Sequence, residues 1–97
     1  MIDLSTQHLA EVRAILDRHV PGCEVRVFGS RVRGNATPHS DLDLAIVGEL
    51  PLGLDRIGLL REAFMESTLP IRVDLLDWNA IPESFREQIA MHYEVLN

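Results

Sequence analysis

The chain contains no lysine. All nine of its basic residues are arginines. A lysine nucleophile, a lysine Schiff base and a P-loop lysine are therefore excluded. Cysteine is nearly absent as well. The single Cys23 cannot close an internal disulfide, which fits a reducing compartment such as the cytoplasm. No apolar run approaches the ~18 residues of a membrane span. The opening Met1-Ile2-Asp3-Leu4-Ser5 lacks a basic segment ahead of an apolar one, so no secretory leader is expected. Excess positive charge is also missing. The formal net charge is -6, so bulk attraction for long nucleic acid is not expected, although a local arginine cluster could still grip one nucleotide.

What remains is an ordinary globular composition, 46% hydrophobic and 25% charged, in 97 residues. That length predicts one domain spanning 1–97, large enough for a core but short for a separate substrate domain.

Periodicity predicts the order α-β-α-β-α-β-α. Leu4–Val20 carries Leu9, Val12, Leu16 and Val20 on one helical face. Ser5 suits its N-cap, Leu4 and Leu9 suit a hydrophobic staple, and Pro21-Gly22 ends it. His8 and His19 on this helix read as solvated surface residues. Cys23–Phe28 alternates as a strand, and Ser30–Asn35 predicts a short helix stopped by Gly34-Asn35. Asp41–Val47 is apolar on both faces beyond its acidic start, which predicts a central strand with that start at a rim. A helix over Asp55–Ser67 follows, with Asp55 as its candidate N-cap and an Ile57, Leu60 and Phe64 stripe supported by Leu59. Ile71–Leu76 is a third strand. Pro82–Met91 is a last helix, with Phe85, Ile89 and His92 on one face, and Tyr93–Leu96 adds an extended piece. Small sheets flanked by helices follow from such an order; strand directions do not.

The chemistry concentrates between Gly29 and Asp43. Gly29-Ser30 closes the first strand, and after ten intervening residues comes Asp41-Leu42-Asp43. Residues i and i+2 of a strand share a face roughly 6–7 Å apart, so Asp41 and Asp43 can converge on a divalent ion. Magnesium prefers oxygen ligands and takes one or two carboxylates plus phosphate oxygens. Gly29 permits close backbone approach, Ser30 adds a hydroxyl, and Arg31 and Arg33 add charge suited to phosphate. Each of these alone is also explained by a plain turn or an acidic strand end. Asp74 is a third acid, set mid-strand between Val73 and Leu75, where an unpaired carboxylate is costly. It is either a ligand or base, or the partner of Arg72 two residues away. Asp77 lies on the opposite strand face, near a loop. Trp78 either stacks on a purine or packs beside the third strand.

Taken together, Phe28-Gly29-Ser30-Arg31-x-Arg33-Gly34 followed by Ser40-Asp41-Leu42-Asp43-Leu44 resembles the minimal nucleotidyltransferase branch of the DNA polymerase β-like nucleotidyltransferase superfamily. Arg72-Val73-Asp74-Leu75-Leu76 is similar to its third-acid strand, and Pro82 onward to its closing segment. The resemblance covers nearly the whole chain. It implies an α/β (α+β) nucleotidyltransferase fold, a small mixed sheet with helices mainly on one side. It implies that Asp41, Asp43 and Asp74 are catalytic and hold one or two Mg2+ ions, and that Gly29, Ser30, Arg31, Arg33 and Ser40 bind the nucleoside triphosphate, ATP. Many stand-alone members are antitoxins that transfer AMP to a tyrosine of a HEPN-family ribonuclease toxin, which implies such a partner. Two alternatives share the resemblance: an idle domain that blocks a toxin by occlusion, and a nucleotidyltransferase for a small molecule such as an aminoglycoside. Leu50, Leu52, Leu54 and Met65 are candidates for a partner surface.

Overall fold

The computed structural model describes residues 1–97. Helix α1 is Thr6–His19, strand β1 Glu24–Phe28, helix α2 Ser30–Arg33, strand β2 Leu42–Val47 and helix α3 Gly53–Met65. Strand β3 is Val73–Asp77, followed by a 3-10 turn at Trp78–Ala80, helix α4 Glu83–Met91 and strand β4 Glu94–Val95. The predicted order is found, with the terminal extended piece present as β4.

Local chemistry sets most boundaries. The Ser5 hydroxyl accepts from the His8 N–H at 3.2 Å, capping α1 as expected, and Leu4 and Leu9 both pack against the core. Helix α3 departs from expectation. It begins at Gly53, and Asp55 lies inside its first turn without capping it. The Leu52 N–H instead reaches Asp77 Oδ2 at 2.7 Å, a partner 25 residues away that no local pattern reveals. Leu59, expected to support the core, is 58% exposed because it sits one step off the buried Ile57, Leu60 and Phe64 stripe. Pro82 caps α4 from outside it, and not from within the first turn.

The sheet runs β3-β2-β1-β4. Strands β1 and β2 are antiparallel, as are β1 and β4, while β2 and β3 are parallel across the α3 crossover. The sheet is thus mixed, and β2 is central as predicted, with Leu42, Leu44, Ala45 and Ile46 fully buried. Helices α1 and α3 cover one face, where Val12, Leu16, Leu60 and Phe64 meet Val25, Val27, Leu44, Ile46 and Leu75. Each fully buried leucine or valine there contributes roughly 1.5–3 kcal/mol. Helix α4 lies against the opposite face, with Phe85 edge-on to Phe28 at 6.2 Å. Asn97 extends the β4 edge with its side chain, accepting from Val25 N–H at 3.0 Å and donating to Cys23 O at 2.7 Å. No helix is long and apolar enough to cross a membrane. Leu50, Leu54 and Met65 are exposed, whereas Leu52 packs on the core and leaves the expected partner surface.

Candidate active site

Directly opposed residues of neighbouring strands point to the same face of a sheet. Phe28 pairs with Asp43, and Asp43 pairs with Asp74. Phe28, Asp43 and Asp74 therefore form one row across three strands, on the face that carries α4. Strand spacing puts Asp43 and Asp74 backbones about 4.8 Å apart. Asp41 immediately precedes β2, two residues from Asp43.

Gly29 fits against this row for two reasons. Its φ of 81° lies in a region that side chains disfavour, and a Cβ there would stand 2.3 Å from Asp43 Oδ2. The glycine lets the turn after β1 close directly over the carboxylate. Gly34, also at positive φ, ends α2 in the left-handed conformation.

A cavity of about 440 Å³ opens here, within the usual range of small-molecule sites. Its polar end is built by Gly29, Ser30, Arg33, Ser40, Asp41 and Asp43. Its other wall is Phe28 with Phe85, Gln88, Ile89 and His92 of α4. Six of the eight residues singled out in the sequence converge on this one space.

Arg31 and Asp74 do not line it. Arg31 is only 5% exposed, and its guanidinium faces away from the cavity into a nest of backbone carbonyls. Nε and Nη2 donate to Ser40 O at 3.1 and 2.8 Å, Nη1 donates to Asp3 O at 2.7 Å, and Nη2 also reaches Pro38 O at 3.3 Å. The phosphate role expected of Arg31 is thus not what the structure gives it. A planar fork of five donors matches several clustered carbonyls, and the result ties the N-terminal segment to the loop that leads into Asp41. Arg33, two residues further along α2, keeps its charge at the cavity and lowers the proton affinity of Asp43.

Asp74 is not the unpaired buried carboxylate that its sequence position suggests. Its Oδ1 accepts from Arg72 Nε at 3.0 Å, and its side chain is 39% exposed. An exposed pair of this kind contributes about 0–1 kcal/mol. Burial cost therefore gives no reason for an acid at this position; register with Asp43 does. Asp77 is accounted for by capping, since it accepts from Leu52 and Asn79 N–H groups. Trp78 stays outside the cavity. Its ring lies 4.6 Å from the Arg26 guanidinium, which sits at the same distance from Tyr93.

The α4 residues are the part of the cavity that sequence reading missed. The signal was present, because Phe85, Ile89 and His92 share one helical face, but such a stripe is indistinguishable from ordinary packing until its partner face is known.

The Asp43 carboxyl is pushed up from 3.8 to about 6. Burial is the main cause, followed by the negative charges of Asp74 and Asp41, with Arg33 opposing. No group of three or more acidic, His or Cys side chains converges closely enough to hold a metal as a finished cage. The donor set nevertheless fits magnesium: two oxygen-donor acids on the cavity, a third in the row, and mutual repulsion that a cation would relieve. The arrangement can hold an anionic ligand at the Ser30, Arg33 and Ser40 end, bridge it to a cation at Asp41 and Asp43, and bind an apolar ring against α4.

A family model for the nucleotidyltransferase domain matches residues 9–96. A Haemophilus influenzae protein named "Probable protein adenylyltransferase MntA" is 50% identical over 95 residues, covering 98% of this chain and 83% of that one. The protein adenylyltransferase MntA of Thermococcus cleftensis is 38% identical over 76 residues, covering 70% of this chain and 75% of that one. Among solved structures, a candidate minimal nucleotidyltransferase is 34% identical, with a TM-score of 0.69 over 91% of this chain and 88% of that chain. A toxin–antitoxin crystallised with AMP-PNP superposes with a TM-score of 0.78 over 92% of this chain and 72% of that one; at 22% identity it bears on the fold alone.

Proposed function

The chain belongs to the nucleotidyltransferase domain family, and from that premise we propose that it is a magnesium-dependent protein adenylyltransferase. It transfers AMP from ATP to a tyrosine hydroxyl of a HEPN-family ribonuclease toxin in the cytoplasm and so acts as that toxin's antitoxin. The observation that carries this reading is the Asp43–Asp74 row with Asp41 beside it, covered by a glycine turn that tolerates no side chain. Pure occlusion of a toxin requires neither feature. The relatives named as protein adenylyltransferases supply the acceptor class.

In the proposed reaction Gly29, Ser30, Arg33 and Ser40 hold the triphosphate. Asp41 and Asp43, with Asp74 beside them, would hold Mg2+, which supplies charge neutralisation on the phosphates. The tyrosine oxygen attacks the α-phosphorus in line. A new P–O bond forms to tyrosine, the bond to pyrophosphate breaks, and Asp74 accepts the hydroxyl proton. Phe28, Phe85 and Ile89 exclude water from one wall.

Purified protein, ATP, MgCl2 and the toxin chain paired with this protein, followed by intact mass of the toxin, test the proposal. Mass gains in whole AMP units, lost in an Asp41→Ala/Asp43→Ala variant, are expected. A toxin of unchanged mass, or gains that persist in the double variant, would overturn it.

A further inference from the structure

Asp41 is the acid that the sheet does not hold. Strand β2 starts at Leu42, and Asp41 has no partner on β1 or β3, whereas Asp43 is paired with both Phe28 and Asp74. A residue outside the ladder keeps backbone freedom that a metal ligand must give up. Two contacts remove that freedom. On one side, Leu42 N–H donates to Arg72 O at 2.9 Å. On the other, Ser40 O accepts from both Nε and Nη2 of Arg31, at 3.1 and 2.8 Å. The peptide units before and after Asp41 are each pinned, and Arg31 pins the first.

The guanidinium can do this because it is itself held. Arg31 is only 5% exposed. Nη1 donates to Asp3 O at 2.7 Å, and Asp3 N–H returns to Arg31 O at 2.7 Å. Nη2 also reaches Thr37 O and Pro38 O, at 3.4 and 3.3 Å. The turn it grips closes on itself, with Ser40 Oγ accepting from Thr37 N–H at 2.9 Å. Arg31 directly follows Ser30 at the start of α2. One side chain therefore joins the turn that carries Gly29 and Ser30 to the backbone of Asp41.

We infer that Arg31 is a positioning residue for the cation site: by fixing the Ser40–Asp41 peptide it aims the Asp41 carboxylate and sets its spacing from the phosphate end. This role rests on the magnesium-dependent reading above. A rival account gives Arg31 only its charge, and the two differ in sign. A cation near a Mg2+ site repels the ion, so removing the charge alone should tighten Mg2+ binding. Loosening Asp41 should weaken it even where the charge is kept.

The test is an Mg2+ titration of the full-length protein saturated with AMP-PNP, followed by the amide NMR signals of Asp41, Leu42 and Asp43. Arg31→Lys keeps the charge but one ammonium cannot span the Ser40, Asp3 and Pro38 carbonyls, so it should raise the Mg2+ dissociation constant about tenfold or more. Arg31→Gln should raise it as well. Val12→Ala, a change in the buried face of α1 that touches none of these contacts, lowers stability and should leave the constant within about twofold of the parent. Without Mg2+, the shifts that AMP-PNP causes at Gly29 and Ser30 should be the same in Arg31→Lys as in the parent. An unchanged constant in Arg31→Lys, a tighter one in Arg31→Gln, or equal weakening in Val12→Ala would overturn the positioning role. So would loss of the Gly29 and Ser30 response in Arg31→Lys, which would mark damage to α2 itself. A parent whose Asp41 and Asp43 signals ignore Mg2+ would instead overturn the magnesium reading on which the role depends.

Discussion

Replacing Asp43 with asparagine should abolish AMP transfer and make the protein more stable. The carboxyl is pushed from 3.8 to about 6, chiefly by burial and then by Asp74 and Asp41. At about 1.4 kcal/mol per pKa unit, a shift of that size corresponds to ~3 kcal/mol if nothing screened it. Asp43 is only part-buried, and solvent screening reduces this to roughly 1 kcal/mol. Because the folded state holds the proton more tightly than the unfolded chain, this contribution to stability is fully present below pH 3.8 and is lost as pH rises through about 6. An asparagine at this position carries no charge at any pH. The advantage of the variant over the parent should therefore be largest at pH 8, shrink through pH 6 and nearly vanish at pH 4. For a domain of this size, roughly 1 kcal/mol corresponds to ~4–8 °C in Tm. Thermal unfolding followed by circular dichroism at pH 8, 6 and 4 measures it directly. Addition of MgCl2 should raise the Tm of the parent and leave Asp43→Asn unmoved. An equal or lower Tm for the variant at pH 8, or a difference that does not shrink in acid, would refute the idea that the acid row stores strain for a cation.

Three further outcomes follow from the same geometry. Gly29→Ala forces a methyl group to 2.3 Å from Asp43 Oδ2 at a φ of 81°; it should cost about 1–3 kcal/mol in urea unfolding and eliminate transfer. Arg31→Met leaves the carbonyls of Asp3, Pro38 and Ser40 without their donor, so a loss of roughly 2–4 kcal/mol is expected, and Arg31→Lys should recover only part of it because one ammonium cannot span them. Asp74→Asn should leave the dissociation constant for AMP-PNP within about twofold of the parent while slowing transfer by about 100-fold or more, read by nucleotide titration and by single-turnover assay.

The elements were legible where apolar spacing was regular, as in Val12, Leu16 and Val20 or Leu42, Leu44 and Ile46. The candidate site was legible where one short segment carries it, and Gly29 through Asp43 does. What failed has a common cause. The residue that opens α3, Leu52, is held by Asp77, and the cavity's second wall is α4, both brought in by tertiary contacts from distant segments. Strand directions were open because each connection permits either sense. Arg31 and Arg33 were indistinguishable in sequence, yet on a helix of four residues they leave in different directions. One is buried against carbonyls and the other stays at the cavity.

In the proposed reaction Asp43 and Asp74, in register on neighbouring strands, divide two chemical tasks. Both occupy the same row, but Asp43 is held under the Gly29 turn, with desolvation the largest influence on its proton. That environment disfavours a lone anion and favours one shared with a cation. Asp74 sits at the sheet edge, 39% exposed, beside the charge of Arg72, which is itself 76% exposed. A base must take a proton from the acceptor and release it to water once per turnover, and an edge position open to solvent permits both steps. Exchanging the two environments would leave a base unable to discharge its proton and a ligand that water could strip from its ion. In the proposed reaction the open edge of β3 is therefore a working part of the site, since it gives the proton its path out.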